Sequence, residues 1–168
     1  MRQGQQHHYF YVAVDAEVIE VLQDCAEVAN GCDEIYTEGL GPCIGVAFAW
    51  QDKGYMFHGA GIHHTNEFEA FLDQVNGSLA ASERSKIRPV VAGGNVTGGV
   101  GGDVLLSRQH CLTKLRERGF GTPHERWCPN DSAQALHLDV HNNTVRVCTE
   151  TMDIFRSGKA TWVDIVNT

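Results

Sequence analysis

Three side chains have the types and spacing of a nucleophilic site: Thr37, Cys43 and His58. Cys43 closes the glycine-rich stretch Tyr-Thr-Glu-Gly-Leu-Gly-Pro-Cys, residues 36–43, and a run of strand-forming residues follows at once. A cysteine on a tight Gly-rich bend exposes its sulfur and has backbone N–H groups nearby that can face a developing oxyanion, as acyl transfer requires. An imidazole on the adjacent strand can take the thiol proton, leaving a thiolate–imidazolium pair whose acid later protonates the leaving group. Thr37, six positions before the cysteine, can accept a hydrogen bond from the other ring nitrogen and fix its tautomer. On this pattern Cys43 is expected to be exposed, with its pKa lowered by His58. The competing reading of the same residues is a cysteine packed as a small hydrophobe beneath the turn, since free cysteine is among the most buried residue types.

These residues need a hairpin to bring them together. Ile44–Trp50 is a short, nearly continuous apolar run, and "GYMFHGAGI" after the turn "QDKG" reads as its antiparallel partner, both central in a sheet. In that partner Met56, His58 and Ala60 alternate inward. Residues 8–22 mix aromatic and β-branched types as one or two half-buried strands. Residues 66–81 place Phe68, Phe71, Leu72, Val75 and Leu79 on one face of an amphipathic helix. "IRPVVAGG" reads as a buried strand and "NVTGGVGGD" as a loop. Residues 103–119 read as a second helix, with Asp103 as N-cap and Gly119 as stop signal. "QALHLDV" and "TVRVCTE" flank "HNN", a hairpin turn suited to Asn at positive φ. Residues 150–168 form a C-terminal arm or an edge strand. The sum is an α+β fold, with helices on a largely antiparallel sheet, in a single domain over residues 1–168.

Composition narrows the chemistry. With 168 residues, a formal charge of −8 and no basic cluster, the chain lacks the electrostatic footprint of a nucleic-acid or anionic-membrane binder. No run approaches the roughly 18 apolar residues of a membrane span, and the polar start has no apolar signal core, so a cytoplasmic protein is expected, with export as an effector the alternative. Six irregularly spaced cysteines contain no C-x-x-C, and reduced thiols are expected. The glycine clusters match no phosphate-binding fingerprint. His63 and His64 read as a polar loop entering the first helix, unless a register slip of the hairpin turns one toward the cleft. A metal centre of His58, His63 and His64 with a cysteine ranks last, because adjacent histidines rarely both point at one ion. No metal and no cofactor is expected.

The motif "YTEGLGPCIGVAFAW" followed by "GYMFHGAGI" resembles the signature of the chemoreceptor glutamine deamidase family, CheD. "RPVVAGGN" and "LLSRQHCLTKLRERGF" are similar to that family's next strand and helix, so the resemblance covers about residues 10–149 in order. It implies a three-layer α/β/β sandwich, related to the cytotoxic necrotising factor type of Cys–His deamidase. It also implies Cys43 as nucleophile, His58 as base and Thr37 as its partner, and a protein substrate whose glutamine side chain becomes glutamate through a cysteine thioester. Pro42 departs from the family's serine; lacking an N–H it cannot donate to an oxyanion, which leaves the Cys43 amide as the better donor. The alternatives are a non-catalytic docking module in signalling and a secreted effector with transglutaminase activity.

Overall fold

The computed structural model describes residues 17–98, 100–151 and 160–168. The strand reading of residues 8–22 therefore falls largely outside the described residues; its described part holds the short strand β1 (Val18–Glu20). Two five-stranded sheets build the fold. One has the order β1, β3 (Glu34–Leu40), β8 (Ser132–Asp139), β9 (Thr144–Thr151) and β10 (Ala160–Val166); the other has the order β2 (Cys25–Asn30), β5 (Lys53–Gly59), β4 (Ile44–Trp50), β6 (Val90–Gly93) and β7 (His124–Trp127). All pairings are antiparallel except β1 with β3 and β6 with β7. Helices α1 (Glu67–Ser78) and α3 (Gly101–Glu117) cover one face of the second sheet, and the short α2 (Ala81–Arg84) follows α1.

The apolar run of β4 explains the layering. Ile44, Val46 and Phe48 point to the helices, where they meet Phe68, Phe71 and Leu72 of α1 and Cys111 and Leu115 of α3. The alternate residues Gly45, Ala47 and Ala49 are small and face the first sheet, whose Leu136, Leu138, Val145 and Val147 fill the space. A strand buried on both faces reads as continuous hydrophobicity, and here the large residues take one face and the small ones the other. A Cβ on Gly45 would stand 2.7 Å from Leu40 Cδ1 and 2.8 Å from Leu136 Cδ1, so the sheets approach too closely there for any side chain. The arrangement is a mixed α+β fold with helices, sheet and sheet in succession.

Strand β3 runs through Leu40, so the bend before Cys43 is shorter than the glycine pattern suggests. Thr37 pairs with Leu136 and Leu40 with Gln134, which leaves one extra residue on β3: a bulge, with Gly39 at φ 71°. The bulge resets the alternation, so Thr37 and Leu40 both face the interior. Helix α3 starts earlier than expected. Its N-cap is Val100, and Asp103 lies in the first turn. Gly119 does follow its end, at φ 81°. Strand β7 was not foreseen. Of the C-terminal arm, residues 160–166 form an edge strand on β9, and 152–159 lie outside the described residues. No helix among the described residues is long and apolar enough to cross a membrane.

Gly93 fixes the bend. Its φ is 79°, and an added Cβ would fall 2.0 Å from the Cys43 carbonyl oxygen, which accepts the Gly94 N–H at 2.8 Å. Gly93→Ala is expected to cost about 3 kcal/mol or more, from backbone strain and displacement of the bend. Urea unfolding checks this against Gly102→Ala, where an added Cβ meets nothing within 4 Å; equal midpoints for the two variants would contradict it.

Candidate active site

Cys43 leads into β4 on the face that carries Gly45, Ala47 and Ala49, so its side chain belongs to the core between the sheets. His58 pairs directly with Gly45 across the hairpin, which makes Cys43 and His58 diagonal neighbours on one sheet face. Thr37 comes from the opposite sheet. Its hydroxyl oxygen lies 2.7 Å from His58 Nδ1 and 2.6 Å from the Val21 carbonyl oxygen. All three side chains are buried, at 0% (Thr37), 5% (His58) and 7% (Cys43) of full exposure.

Hydrogen-bond counting assigns the imidazole tautomer. A carbonyl can only accept, so the single Thr37 hydroxyl proton goes to Val21. The hydroxyl oxygen then accepts from His58, and Nδ1 carries the ring proton. In the neutral ring Nε2 is a lone pair; it is buried and has no hydrogen-bond partner among the described residues. An unpaired buried acceptor costs about 1–3 kcal/mol, a cost often found at reactive positions.

The electrostatics differ from the sequence expectation of an exposed, acidified thiol. Burial pushes the Cys43 thiol up, the Asp24 carboxylate adds to that, and the residue's own N–H pulls weakly the other way. Burial also holds His58 below its ordinary value, against the pull of Asp24. Both shifts favour neutral partners, so the resting pair is thiol and imidazole rather than thiolate and imidazolium. The physical reason is the fold itself: the small-residue face of β4 draws its preceding cysteine into the space between the sheets.

Three residues near the site carried no sequence signal for it. Gln23 Oε1 lies 3.8 Å from the Cys43 sulfur, in hydrogen-bonding reach of a thiol. Asp24, at φ 61°, accepts the Ala60 N–H at 3.0 Å and so ties this turn to the end of β5. Cys25, exposed, stands directly across from His58 in the β2–β5 pair. His63 and His64 lie past β5 and approach Asp103 of α3. His137 stacks on Tyr36 with ring centroids 5.6 Å apart, and His110 is on α3. Two surface depressions of about 330 Å³ each flank the region, one lined by Gly41, Pro42 and Asn95 and the other by Glu38, His137 and Trp162; neither includes Cys43 or His58. Hydrogen bonding and register define the site better than concavity does.

No known family model matches the chain, and no curated protein matches it.

With the sulfur buried and its thiol neutral, iodoacetamide near neutral pH is expected to label exposed Cys25 and Cys32 before Cys43. Gln23→Ala is expected to raise the Cys43 labelling rate by uncovering the sulfur. Peptide mapping by mass spectrometry reads both; a Cys43 rate insensitive to Gln23→Ala would show that the glutamine does not cover it.

Proposed function

We propose that the protein is a cysteine-dependent protein-glutamine deamidase with a CheD-like fold. The observation that supports this most is the free Nε2 of His58, a base whose tautomer Thr37 sets, on the same sheet face as the Cys43 sulfur. The hydrogen-bond partner of the sulfur supports the substrate class, since Gln23 offers a primary carboxamide to the thiol at 3.8 Å. A substrate glutamine takes that place when the turn carrying Gln23 moves aside.

The neutral pair sets the order of proton movements. As the Cys43 sulfur attacks the carboxamide carbon, its proton passes to His58 Nε2, and the resulting imidazolium is held by the Nδ1–H bond to Thr37. The oxyanion takes a hydrogen bond from the Cys43 N–H, because Pro42 has none to give. The C–N bond then breaks, His58 hands its proton to the departing ammonia, and a thioester is left. Water adds to the thioester with His58 as base, the C–S bond breaks, and the proton returns to sulfur as the side chain leaves as glutamate. An amine in place of water gives transglutamination.

Burial of the sulfur also favours a second reading, a docking module of the same fold without turnover. That reading leaves partner binding and phenotype intact in Cys43→Ala.

Mass spectrometry of candidate protein substrates should detect amide-to-acid conversion at glutamine with the wild-type protein and none with Cys43→Ala, while Cys25→Ala retains it. His58→Ala should lose about 10²–10⁴-fold of the rate, and Thr37→Val up to about 10²-fold by loosening the ring. The acid limb of kcat/KM should fall below the ordinary histidine value of 6.5, because burial lowers His58 and keeps Nε2 unprotonated to lower pH. Conversion that survives Cys43→Ala, or an acid limb above that value, would overturn this mechanism.

A further inference from the structure

Beyond β5 the chain brings His63 and His64 against the first turn of α3. His63 Nε2 lies 3.4 Å and His64 Nε2 3.5 Å from the same Asp103 oxygen, Oδ1. Donor atoms of the three residues all lie within 4.8 Å of one another. These N···O separations are too long for hydrogen bonds, which close at about 2.7–3.2 Å. They match the edge of a tetrahedron, since ligand atoms about 2.0–2.1 Å from a zinc ion stand roughly 3.3 Å apart.

A second observation comes from behind the ring. His63 Nδ1 is 2.6 Å from the hydroxyl oxygen of Ser107, a buried residue one turn along α3. That bond orients the imidazole from its far side, as the outer partners of metal-bound histidines do. The opposite nitrogen, Nε2, is buried with no hydrogen-bond partner among the described residues, although the carboxylate oxygen is near. The His63 and His64 ring centroids are 3.7 Å apart. A dication shared by the two rings would give the buried His63 Nε2 the partner it lacks. The Asp103 carboxylate also offsets the partial positive charge of the α3 N-terminus, which by itself opposes a cation.

We propose that His63 Nε2, His64 Nε2 and an Asp103 carboxylate oxygen form a three-ligand site for Zn²⁺ or a similar borderline divalent ion. Two imidazoles and one carboxylate are a donor set suited to that class of metal. The side chains of His64 and Asp103 are 65% and 61% exposed, so the ion enters from solvent and water takes the fourth position. The bound ion clamps the loop that leaves the His58 strand to α3. This site stands whether or not the protein deamidates glutamine.

The test uses the full chain without an affinity tag, titrated with zinc chloride by calorimetry and with Co²⁺ by absorption. Expected are a single equivalent of zinc and tetrahedral cobalt bands without thiolate-to-cobalt charge transfer. His64→Ala and Asp103→Asn, both at exposed positions and with circular dichroism unchanged, should each weaken zinc at least about 100-fold, beyond the usual 10–100-fold effect of an outer partner. Cys43→Ala should bind as wild type. No zinc uptake at millimolar concentration, affinity unchanged in both ligand variants, a thiolate band, or loss of binding in Cys43→Ala would each overturn the proposal.

Discussion

A threonine hydroxyl has one proton, and at Thr37 the Val21 carbonyl takes it. Much of the site follows from that constraint. With its proton committed, the hydroxyl can only accept from His58, so the ring carries its proton on Nδ1 and presents Nε2 as a base toward the interior. The same bond pins Val21 to β3, beside the Val21 N–H bond to the Tyr36 carbonyl at 2.9 Å, and so fixes the turn that brings Gln23 over the sulfur and Asp24 to the end of β5. One side chain from the first sheet thus sets the chemistry of the second.

Thr37 is one of several polar crossings between the sheets among the described residues. Gln134 Oε1 accepts the Gly93 N–H at 2.7 Å, under the bend that holds Cys43. Asn167, fully buried, meets Ala49 twice at 2.9 Å: its Nδ2 donates to the Ala49 carbonyl oxygen and its Oδ1 accepts the Ala49 N–H. Between these crossings the packing is apolar and close, with Gly45 and Gly54 leaving room for leucines and Val140. A buried polar bond of this kind contributes little net stability when made and costs much when half broken, so such bonds specify register more than they add stability. The closeness also dries the site, which is why both the thiol and the imidazole rest neutral.

The sequence made some parts of this legible and hid others for physical reasons. The β4–β5 hairpin, α1 and the β8–β9 hairpin follow from patterns local enough to read: the apolar run of residues 44–50, the helical spacing of Phe68, Phe71, Leu72 and Val75, and Asn143 at φ 49° in its turn. Strand β7 could not be read, because "HERW" is polar and owes its place to parallel pairing with β6. The bulge at Gly39 looked like part of a bend, since glycine signals positive φ without saying whether a strand resumes. Spacing and resemblance point to Thr37, Cys43 and His58, but spacing leaves an exposed and a buried sulfur as competing readings, because the outcome depends on which face of β4 the small residues occupy. Gln23 and Asp24 reach the site through a turn between β1 and β2, a contact no local pattern encodes. The convergence of His63 and His64 on Asp103 needed α3 to start three residues earlier than its acidic residue suggested.

In the proposed reading, the neutral Cys43 thiol and the oriented His58 ring, which do not hydrogen-bond to each other, wait for a carboxamide to displace Gln23. The tautomer of His58 is the foundation of that reading and can be observed without any substrate. Nitrogen-15 NMR of imidazole-labelled protein near neutral pH should find the His58 proton on Nδ1 and Nε2 bare, with Thr37→Val moving the ring toward the opposite tautomer. A wild-type His58 protonated on Nε2 would contradict the account.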